Sequence, residues 1–140
     1  MSRKMSRGIR KFTPKITRGL PVGATVVCAD NSGAKEMKIM TVLGYKTTLG
    51  KLTKAGVGDL VNVSVTKGKQ ELRKQVLQAI VVRQKKAYRR PDGTWIQFED
   101  NAAVLIKGEG EPQGTELRGP MAREVTLRWP KVAAIASKIV

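Results

Sequence analysis

AIVVRQKKAYRRPDGTWIQFEDNAAVL, residues 79–105, is the stretch that decides the fold. It begins with branched apolar residues and passes directly into five cations within eight positions: Arg83, Lys85, Lys86, Arg89 and Arg90. The cations stop at the turn sequence of residues 91–93, and Trp95, Ile96 and Phe98 then lead into a second apolar run. This pattern predicts an antiparallel β-ribbon that holds dense positive charge in a fixed place, which suits a polyphosphate ligand.

The chain on either side of this ribbon has the two-residue period of β-strands. Val61, Val63 and Val65 alternate with polar residues, and glycines separate one apolar run from the next. The predicted strands are Val22–Ala29, Glu36–Val42, Asp59–Lys67, Gln78–Arg90, Gly93–Phe98 and Ala102–Lys107. Five or six short strands favour a small closed barrel, which also removes the exposed edges of an open sheet.

The C-terminal part has a different pattern. Pro120 suits the first turn of a short helix through about Leu127, and Pro130 suits the start of a second helix through about Ser137. Trp129, between them, is predicted to pack on the barrel as a core anchor. The expected organisation is therefore a basic N-terminal arm (1–18), a β-barrel with a basic ribbon (19–107), and a C-terminal region of loops and short helices (108–140).

Composition indicates a polyanionic partner. The 140 residues carry 27 Lys and Arg against 11 Asp and Glu, a net charge of +16. No apolar run reaches the roughly 18 residues of a membrane span, and the N-terminus has no apolar secretory core, so we expect neither membrane attachment nor export. The single cysteine, Cys28, excludes an internal disulfide, is consistent with the cytosol, and is predicted to be a small core residue.

The sequence argues against an enzyme. It contains no histidine, which removes imidazole catalysis and, with one cysteine, a structural zinc site. The adjacent acids Glu99 and Asp100 would point to opposite faces of a strand. The glycine-rich residues 108–114 miss the dinucleotide-binding spacing by one position. We therefore predict no catalytic residue, metal or cofactor.

Positive charge falls in three blocks, the arm, Lys46–Lys74 and Arg83–Arg90, whereas residues 91–116 are mostly acidic, so two oppositely charged surfaces are expected. Aromatic residues make up only 4% of the chain, too few for stacking single-stranded bases, which favours backbone recognition of a folded RNA. The predicted RNA contacts are Arg3, Lys4, Arg7, Arg10, Lys11, Lys46, Lys51, Lys54, Lys67, Lys69, Arg73, Lys74, Arg83, Lys85, Lys86, Tyr88, Arg89 and Arg90.

Several motifs resemble one protein family. The matching positions are a small residue and three branched aliphatics at 79–82, the turn Asp92-Gly93, and the residues Phe98, Asn101, Val104 and Leu105. The segments CADNSGAK (28–35), GVGD (56–59), KGKQELRK (67–74) and GPMARE (119–124) also match. Over about residues 20–140 the chain resembles the universal large-subunit ribosomal protein family L fourteen. GLPVGA (19–24), KGKQELRK and the N-terminal extension are similar to its archaeal and eukaryotic branch.

The resemblance implies a closed five-stranded β-barrel with a projecting β-ribbon and a structural role in the cytoplasmic ribosome. It implies binding to large-subunit rRNA, bridges to small-subunit rRNA, and contact with ribosomal proteins L three and a eukaryote-type L twenty-four. An anti-association factor is a further possible partner. Within the C-terminal region, Pro120, Arg123 and Trp129 are our candidates for protein contacts.

Two other classes stay open on the residues alone. A non-ribosomal architectural protein would bind duplex DNA as well as folded rRNA, and a phosphate-handling enzyme would turn over a nucleotide with a divalent metal.

Overall fold

A computed structural model describes residues 16–44, 52–108 and 110–140. Within these ranges the chain forms short strands, two short helices, and a 3₁₀ turn at Leu72–Lys74. The helices are α1 (Arg123–Arg128) and α2 (Pro130–Ala133). The strands are β1 (Leu20–Pro21), β2 (Thr25–Cys28), β3 (Ala34–Val42), β4 (Lys54–Ala55), β5 (Leu60–Gly68), β6 (Val76–Arg83), β7 (Tyr88–Arg89), β8 (Trp95–Ile96), β9 (Ala102–Lys107), β10 (Glu111–Pro112), β11 (Leu117–Met121) and β12 (Ala136–Ile139).

Five of these strands close into a barrel, as predicted. The hydrogen-bonded order is β9-β2-β3-β5-β6, and β6 pairs back with β9 to complete the ring. All neighbours are antiparallel except β2 and β9, which run parallel, with Val27 opposite Ala102. β10 extends the ring by pairing with the far end of β9. The barrel therefore leaves no open edge among its five strands.

The barrel interior is filled by alternate residues. Val61 and Val63 are fully buried and Val65 is nearly so, whereas the polar residues between them lie outward. Cys28 contributes to the same cluster, which confirms it as a core residue. Burial, together with the charge of Asp30, raises the pKa of its thiol to about 12, so the side chain stays protonated at physiological pH.

β6 and β9 are buried on both faces, which explains their unbroken apolar runs. Val81 and Leu105 face the barrel interior, whereas Ile80 and Val104 face a second cluster outside the barrel. The C-terminal region supplies the other side of that cluster. Its buried members include Leu117, Met121, Val125, Trp129 and Val132. Trp129 is 6% exposed, which confirms it as an anchor of this region.

Five of the six predicted strands have different bounds, by at most two residues at either end in three of them and by more in the other two. The first, predicted at Val22–Ala29, is limited to β2 (Thr25–Cys28), because a turn with Gly23 at φ +94° separates it from β1, which was not predicted. The basic strand ends at Arg83 rather than at Arg90, and the side chain of the next residue, Gln84, donates a hydrogen bond to the Lys86 carbonyl (3.0 Å). The ribbon beyond it is short: β7 and β8 pair over only two residues each.

The C-terminal helices are also shorter than predicted. Pro120 lies in β11 rather than in the first turn of a helix, and α1 begins at Arg123. Pro130 does begin α2, but that helix ends at Ala133 because residues 136–139 form β12, which pairs in parallel with β11. Over the described ranges, neither helix approaches the length and apolarity of a membrane span.

Candidate nucleic-acid interface

One group of predicted RNA contacts lies on the connection between β5 and β6. We call it the hairpin surface, and its exposed cations are Lys67, Lys69, Arg73 and Lys74. The 3₁₀ turn orders it, because the Lys69 carbonyl accepts hydrogen bonds from the amides of Leu72 (3.1 Å) and Arg73 (3.3 Å). Leu72, which is partly buried, packs against the barrel core. The charges therefore project from an anchored turn.

This connection is fixed to the turn between β2 and β3. The Lys69 amide donates to the Gly33 carbonyl at 3.1 Å. Gly68 has φ +139°, and a Cβ there would lie 2.7 Å from the same carbonyl oxygen. Only glycine fits at that position, because the obstructing atom belongs to the backbone. The hairpin surface thus has a defined place at one end of the barrel.

Lys35 and Lys38, which we had not predicted as RNA contacts, lie on the neighbouring strand β3 and are exposed. Lys38 stands between Thr25 of β2 and Ser64 of β5 in the strand register, with its side chain outward. The alternation of β3 could have predicted this exposure, because Lys38 lies between the buried residues Met37 and Ile39. These two lysines extend the positive charge of the hairpin surface along the barrel wall.

A second group lies at the other end of β6. Lys85 and Lys86 follow this strand directly and are exposed, as is Lys54 on β4. We call these three lysines the loop surface. From Val76 to Arg83, seven residue steps of about 3.3 Å separate the two ends by roughly 23 Å. The structure therefore places two adjacent sequence blocks at opposite ends of the barrel.

The loop surface is fixed by hydrogen bonds to its backbone. The Lys85 amide donates to Asn101 Oδ1 at 2.7 Å. Lys54 lies opposite Pro21 in the β1–β4 pair, and β1 follows Gly19, which contacts Lys86. Arg89 lies beyond this group, on β7, opposite the exposed Trp95.

Arg83 makes contacts within the protein. Its side chain is 8% exposed and forms a two-pronged ion pair with Asp100, at 2.9 Å from Nε to Oδ1 and 3.1 Å from Nη2 to Oδ2. Nη1 donates to the carbonyl oxygens of Arg118 (2.8 Å) and Pro120 (3.1 Å). The arginine thereby joins the end of β6 to β11.

Arg90 and Tyr88 also point inward, to Glu124 of α1. Arg90 donates to the Glu124 carboxylate at 2.7 Å and to the Val140 carbonyl at 2.7 Å, and Tyr88 donates to Glu124 at 3.2 Å. Glu124 is 6% exposed and Tyr88 is fully buried. Burial, together with the negative charge of Glu124, raises the pKa of Tyr88 to about 12. These contacts attach the ribbon to α1 and to the last residue.

The three candidates for protein contacts lie in different environments. Arg123 is exposed, Pro120 is half-buried, and Trp129 is buried, with its indole N–H donating to the Gly58 carbonyl at 2.8 Å. Trp129 therefore anchors the C-terminal region to the barrel. The remaining predicted RNA contacts lie outside the described residues: Arg3, Lys4, Arg7, Arg10, Lys11, Lys46 and Lys51.

The acidic residues of segment 91–116 are only partly separated from the hairpin surface. Asn31 Oδ1 accepts hydrogen bonds from the amides of Thr115 (2.8 Å) and Glu116 (3.4 Å), which brings Glu116 close to the turn that carries Gly33. Asp100 is used by Arg83, and Glu111 pairs with Lys131 at 3.4 Å. Two fully opposed charged faces stay a prediction.

Comparisons with known proteins agree with this architecture. The family model described as ribosomal protein L14p/L23e matches residues 19–140. A large ribosomal subunit protein uL14 from Halobacterium salinarum is 55% identical over 125 residues, which cover 89% of this chain and 95% of that protein. The uL14 of Thermoplasma volcanium is 54% identical over 88% of this chain and 93% of its own length.

The similarity also extends to the N-terminal arm. The uL14 of Nitrosopumilus maritimus is 49% identical over all 140 residues and over the whole of its own length. Together with the five-stranded barrel, these matches show that the chain belongs to the ribosomal protein L14p/L23e family.

Proposed function

We propose that this protein is a structural constituent of the large ribosomal subunit that binds large-subunit rRNA through phosphate contacts and contributes to bridges between the subunits. Its family consists of ribosomal structural proteins and not of enzymes, and it acts in the cytoplasmic ribosome. The finer statements, on phosphate contacts and bridges, rest on the distribution of charge over the fold.

The observation that carries the proposal is that several carboxylates form ion pairs with arginines inside the protein. Asp59 is paired with Arg18 and Arg128, Glu124 with Arg90, and Asp100 with Arg83. The exposed charge is mostly positive at both ends of the barrel: Lys67, Lys69, Arg73 and Lys74 against Glu71 at one end, and Lys54, Lys85 and Lys86 at the other. Exposed lysines on a rigid support neutralise phosphates and release their counterions, which is the main source of affinity for nucleic acid.

We assign rRNA phosphate to the hairpin surface, the loop surface and Arg89. Arg83, Tyr88 and Arg90 were also predicted to contact RNA, but their polar groups are already bonded within the protein. These three residues therefore support RNA binding indirectly, by holding in place the segments that carry the exposed cations. The basic arm is included on its charge alone.

For the protein partners we propose the exposed face of α1, which carries Arg123 and Leu127. Arg123 and Leu127 of α1 are exposed, Leu127 at 56%, on a helix held from below by Trp129 and Glu124. An exposed apolar residue beside a cation suits a protein contact. The proposed partners are ribosomal proteins L three and a eukaryote-type L twenty-four, and an anti-association factor that would compete for the small subunit.

Sedimentation tests the assignment to the ribosome. The tagged protein should migrate with the large subunit in a lysate gradient when low magnesium separates the subunits, and with joined ribosomes at high magnesium. Recovery at the top of both gradients would refute the proposal.

The salt dependence of binding tests the phosphate contacts. Changing Lys69, Arg73 and Lys74 to alanine should lower the slope of log K against log salt by up to about three, near 0.9 per lost contact. The matched control removes three exposed lysines elsewhere, Lys107, Lys131 and Lys138. Equal slopes for the two triple variants would overturn the hairpin assignment, and equal binding to duplex DNA would favour the architectural alternative.

A further inference from the structure

Trp95 places an aromatic ring on the outer face of the ribbon. Its side chain is 66% exposed, whereas Trp129, the other tryptophan of the chain, is 6% exposed. Tryptophan is buried on average, because its ring is large and mostly apolar. Exposure alone does not make a binding site, so the support and the neighbours of this ring decide what it can bind.

The strand register explains why the ring faces outward. β7 and β8 pair Tyr88 with Ile96 and Arg89 with Trp95. Tyr88 is fully buried and Ile96 packs against the second apolar cluster, so this pair occupies the inner face of the ribbon. Successive side chains of a strand point to opposite faces, which places Arg89 and Trp95 side by side on the outer face.

The backbone next to Trp95 is fixed by hydrogen bonds. The Arg90 amide donates to the Thr94 carbonyl at 2.8 Å, and the Gly93 amide donates to the Arg90 carbonyl at 2.9 Å. Asp92 Oδ1 accepts a hydrogen bond from the Thr94 amide at 2.9 Å. Arg90 also joins the ribbon to α1 through its ion pair. The ring therefore stands on a support that needs little ordering when a ligand binds.

Arg89 brings positive charge to the same face. Its side chain is exposed, and none of the ion pairs formed among the described residues includes it. A Cβ added to Gly93 would lie 3.7 Å from Arg89 Nη2, so the guanidinium extends toward the turn of the ribbon. It is therefore available to an anion near the Trp95 ring.

An unpaired nucleotide has the chemistry that matches these two side chains. Its base offers a flat face to the indole, and its phosphate offers an anion to the guanidinium. One ring cannot hold a run of bases, but a loop or bulge of a folded RNA needs only one ring for one unstacked base. Tryptophan and arginine are also common in protein interfaces. The exposed Lys85 and Lys86, which precede the ribbon, favour a polyanion instead.

We propose that Trp95 and Arg89 form a platform for one unpaired nucleotide of ribosomal RNA, with the base stacked on the indole and the adjoining phosphate beside the guanidinium. This inference rests on the proposed function, because it assumes that the protein binds rRNA. It adds a contact with a base to the phosphate contacts proposed above. The ribbon would thereby select folded RNA with an unstacked base over a continuous duplex.

Tryptophan fluorescence tests the stack in the full-length chain. A base stacked on Trp95 should quench its emission, whereas the emission of buried Trp129 should stay unchanged. The probes are transcripts of archaeal large-subunit and small-subunit rRNA, used separately, and a continuous RNA duplex. We expect quenching by a transcript and not by the duplex, and the transcript that quenches identifies the subunit that supplies the base. Trp95→Phe, which keeps Trp129, should abolish the quenching.

Affinity measurements separate the base from the phosphate. Trp95→Ala should weaken binding to the quenching transcript about 5- to 150-fold, the range for one stacked base, without changing the slope of log K against log salt. Trp95→Phe should restore part of this affinity. Arg89→Ala should lower the slope by about one. The matched control is Val76→Ala, at an apolar side chain that is 61% exposed, and it should bind like the natural chain.

Three results would count against these assignments. Salt-dependent binding to the transcripts without quenching of Trp95 would overturn the platform and leave the ring to a protein partner. Equal quenching by the continuous duplex would overturn the requirement for an unpaired base. Because quenching is measured in the natural chain, it decides the question even if Trp95→Ala folds poorly. Binding that does not depend on salt at all would instead refute the proposed function.

Discussion

The ribbon and the hairpin surface carry similar sequences of cations and use them in opposite ways. Arg83 and Arg90 lie at 8% and 11% side-chain exposure and hold carboxylates of distant segments. Lys69, Arg73 and Lys74 are exposed on a turn fixed by its backbone. The planar groups of Arg83 and Arg90 bind a carboxylate and carbonyls together, whereas the exposed ammonium groups of Lys69 and Lys74 stay hydrated and are available to phosphate. A basic block in a sequence can therefore be part of the core or part of the interface.

The largest effect in this comparison should come from Glu124→Gln. The change leaves the buried Arg90 guanidinium without its counter-charge, and removing one partner of a buried pair costs about 3–5 kcal/mol. Urea denaturation measures the loss in free energy of unfolding. Glu116→Gln, at an exposed carboxylate, is the control, and equal stability of the two variants would show that the ribbon needs no such pair.

Arg83→Met should have the next largest effect. It removes an ion pair with Asp100 and two bonds to carbonyls, and hydrogen bonds to charged groups are worth about 1.5–3 kcal/mol. Thermal denaturation should show the loss, while the salt slope of RNA binding stays as in the natural chain. A slope lowered by about one would place Arg83 on phosphate and remove the distinction between the two regions.

High pH should weaken the ribbon through Tyr88. Tyr88 ionises near 10 when unfolded, and its pKa is raised to about 12 in the fold. The neutral phenol is thus the form that the fold favours, so its contribution is complete below pH 10 and is lost as the pH rises toward 12. The stability of Tyr88→Phe should fall less than that of the natural chain over this interval, and parallel curves would contradict the assignment.

The smallest effect should come from Lys67→Ala. Its ion pair with Glu36 spans 3.6 Å between side chains that are 69% and 38% exposed. Such surface pairs contribute about 0–1 kcal/mol, so the unfolding free energy should scarcely change while RNA affinity falls. A loss of stability as large as that of Arg83→Met would mean that the hairpin, too, is part of the core.

The barrel was predictable because its signals are local. The alternation of Val61, Val63 and Val65 and the apolar runs at 79–82 and 102–106 each follow from the burial of one or both strand faces. Trp129 was predictable as an anchor for the same reason, since a large apolar side chain in a charged chain has few other places to lie.

The roles of the ribbon arginines were not predictable, because their partners are distant in sequence. Asp100 is 17 residues from Arg83, and Glu124 is 34 residues from Arg90. Strand β12 was missed for the same reason: apolar and small residues after Pro130 favour a helix locally, and only the pairing with β11 converts residues 136–139 to a strand. The burial of Gln84 gave no signal, since a single glutamine in a basic stretch is ordinarily exposed.

The closure of the barrel by β9 has a consequence for the order of events during translation. β2 ends at Cys28, but its parallel neighbour ends at Lys107, so 79 residues separate the two strands that complete the ring. At about 5–20 residues per second, roughly 4–16 s pass between the synthesis of β2 and the completion of β9. During that time the nascent chain carries the open edge of β2 and the positive charge of the arm, and, once they have been made, the positive charge of the hairpin and the open edge of β6. The ribosome that makes this protein is itself a polyanion, so the half-built barrel has a competing ligand before its own fold is complete.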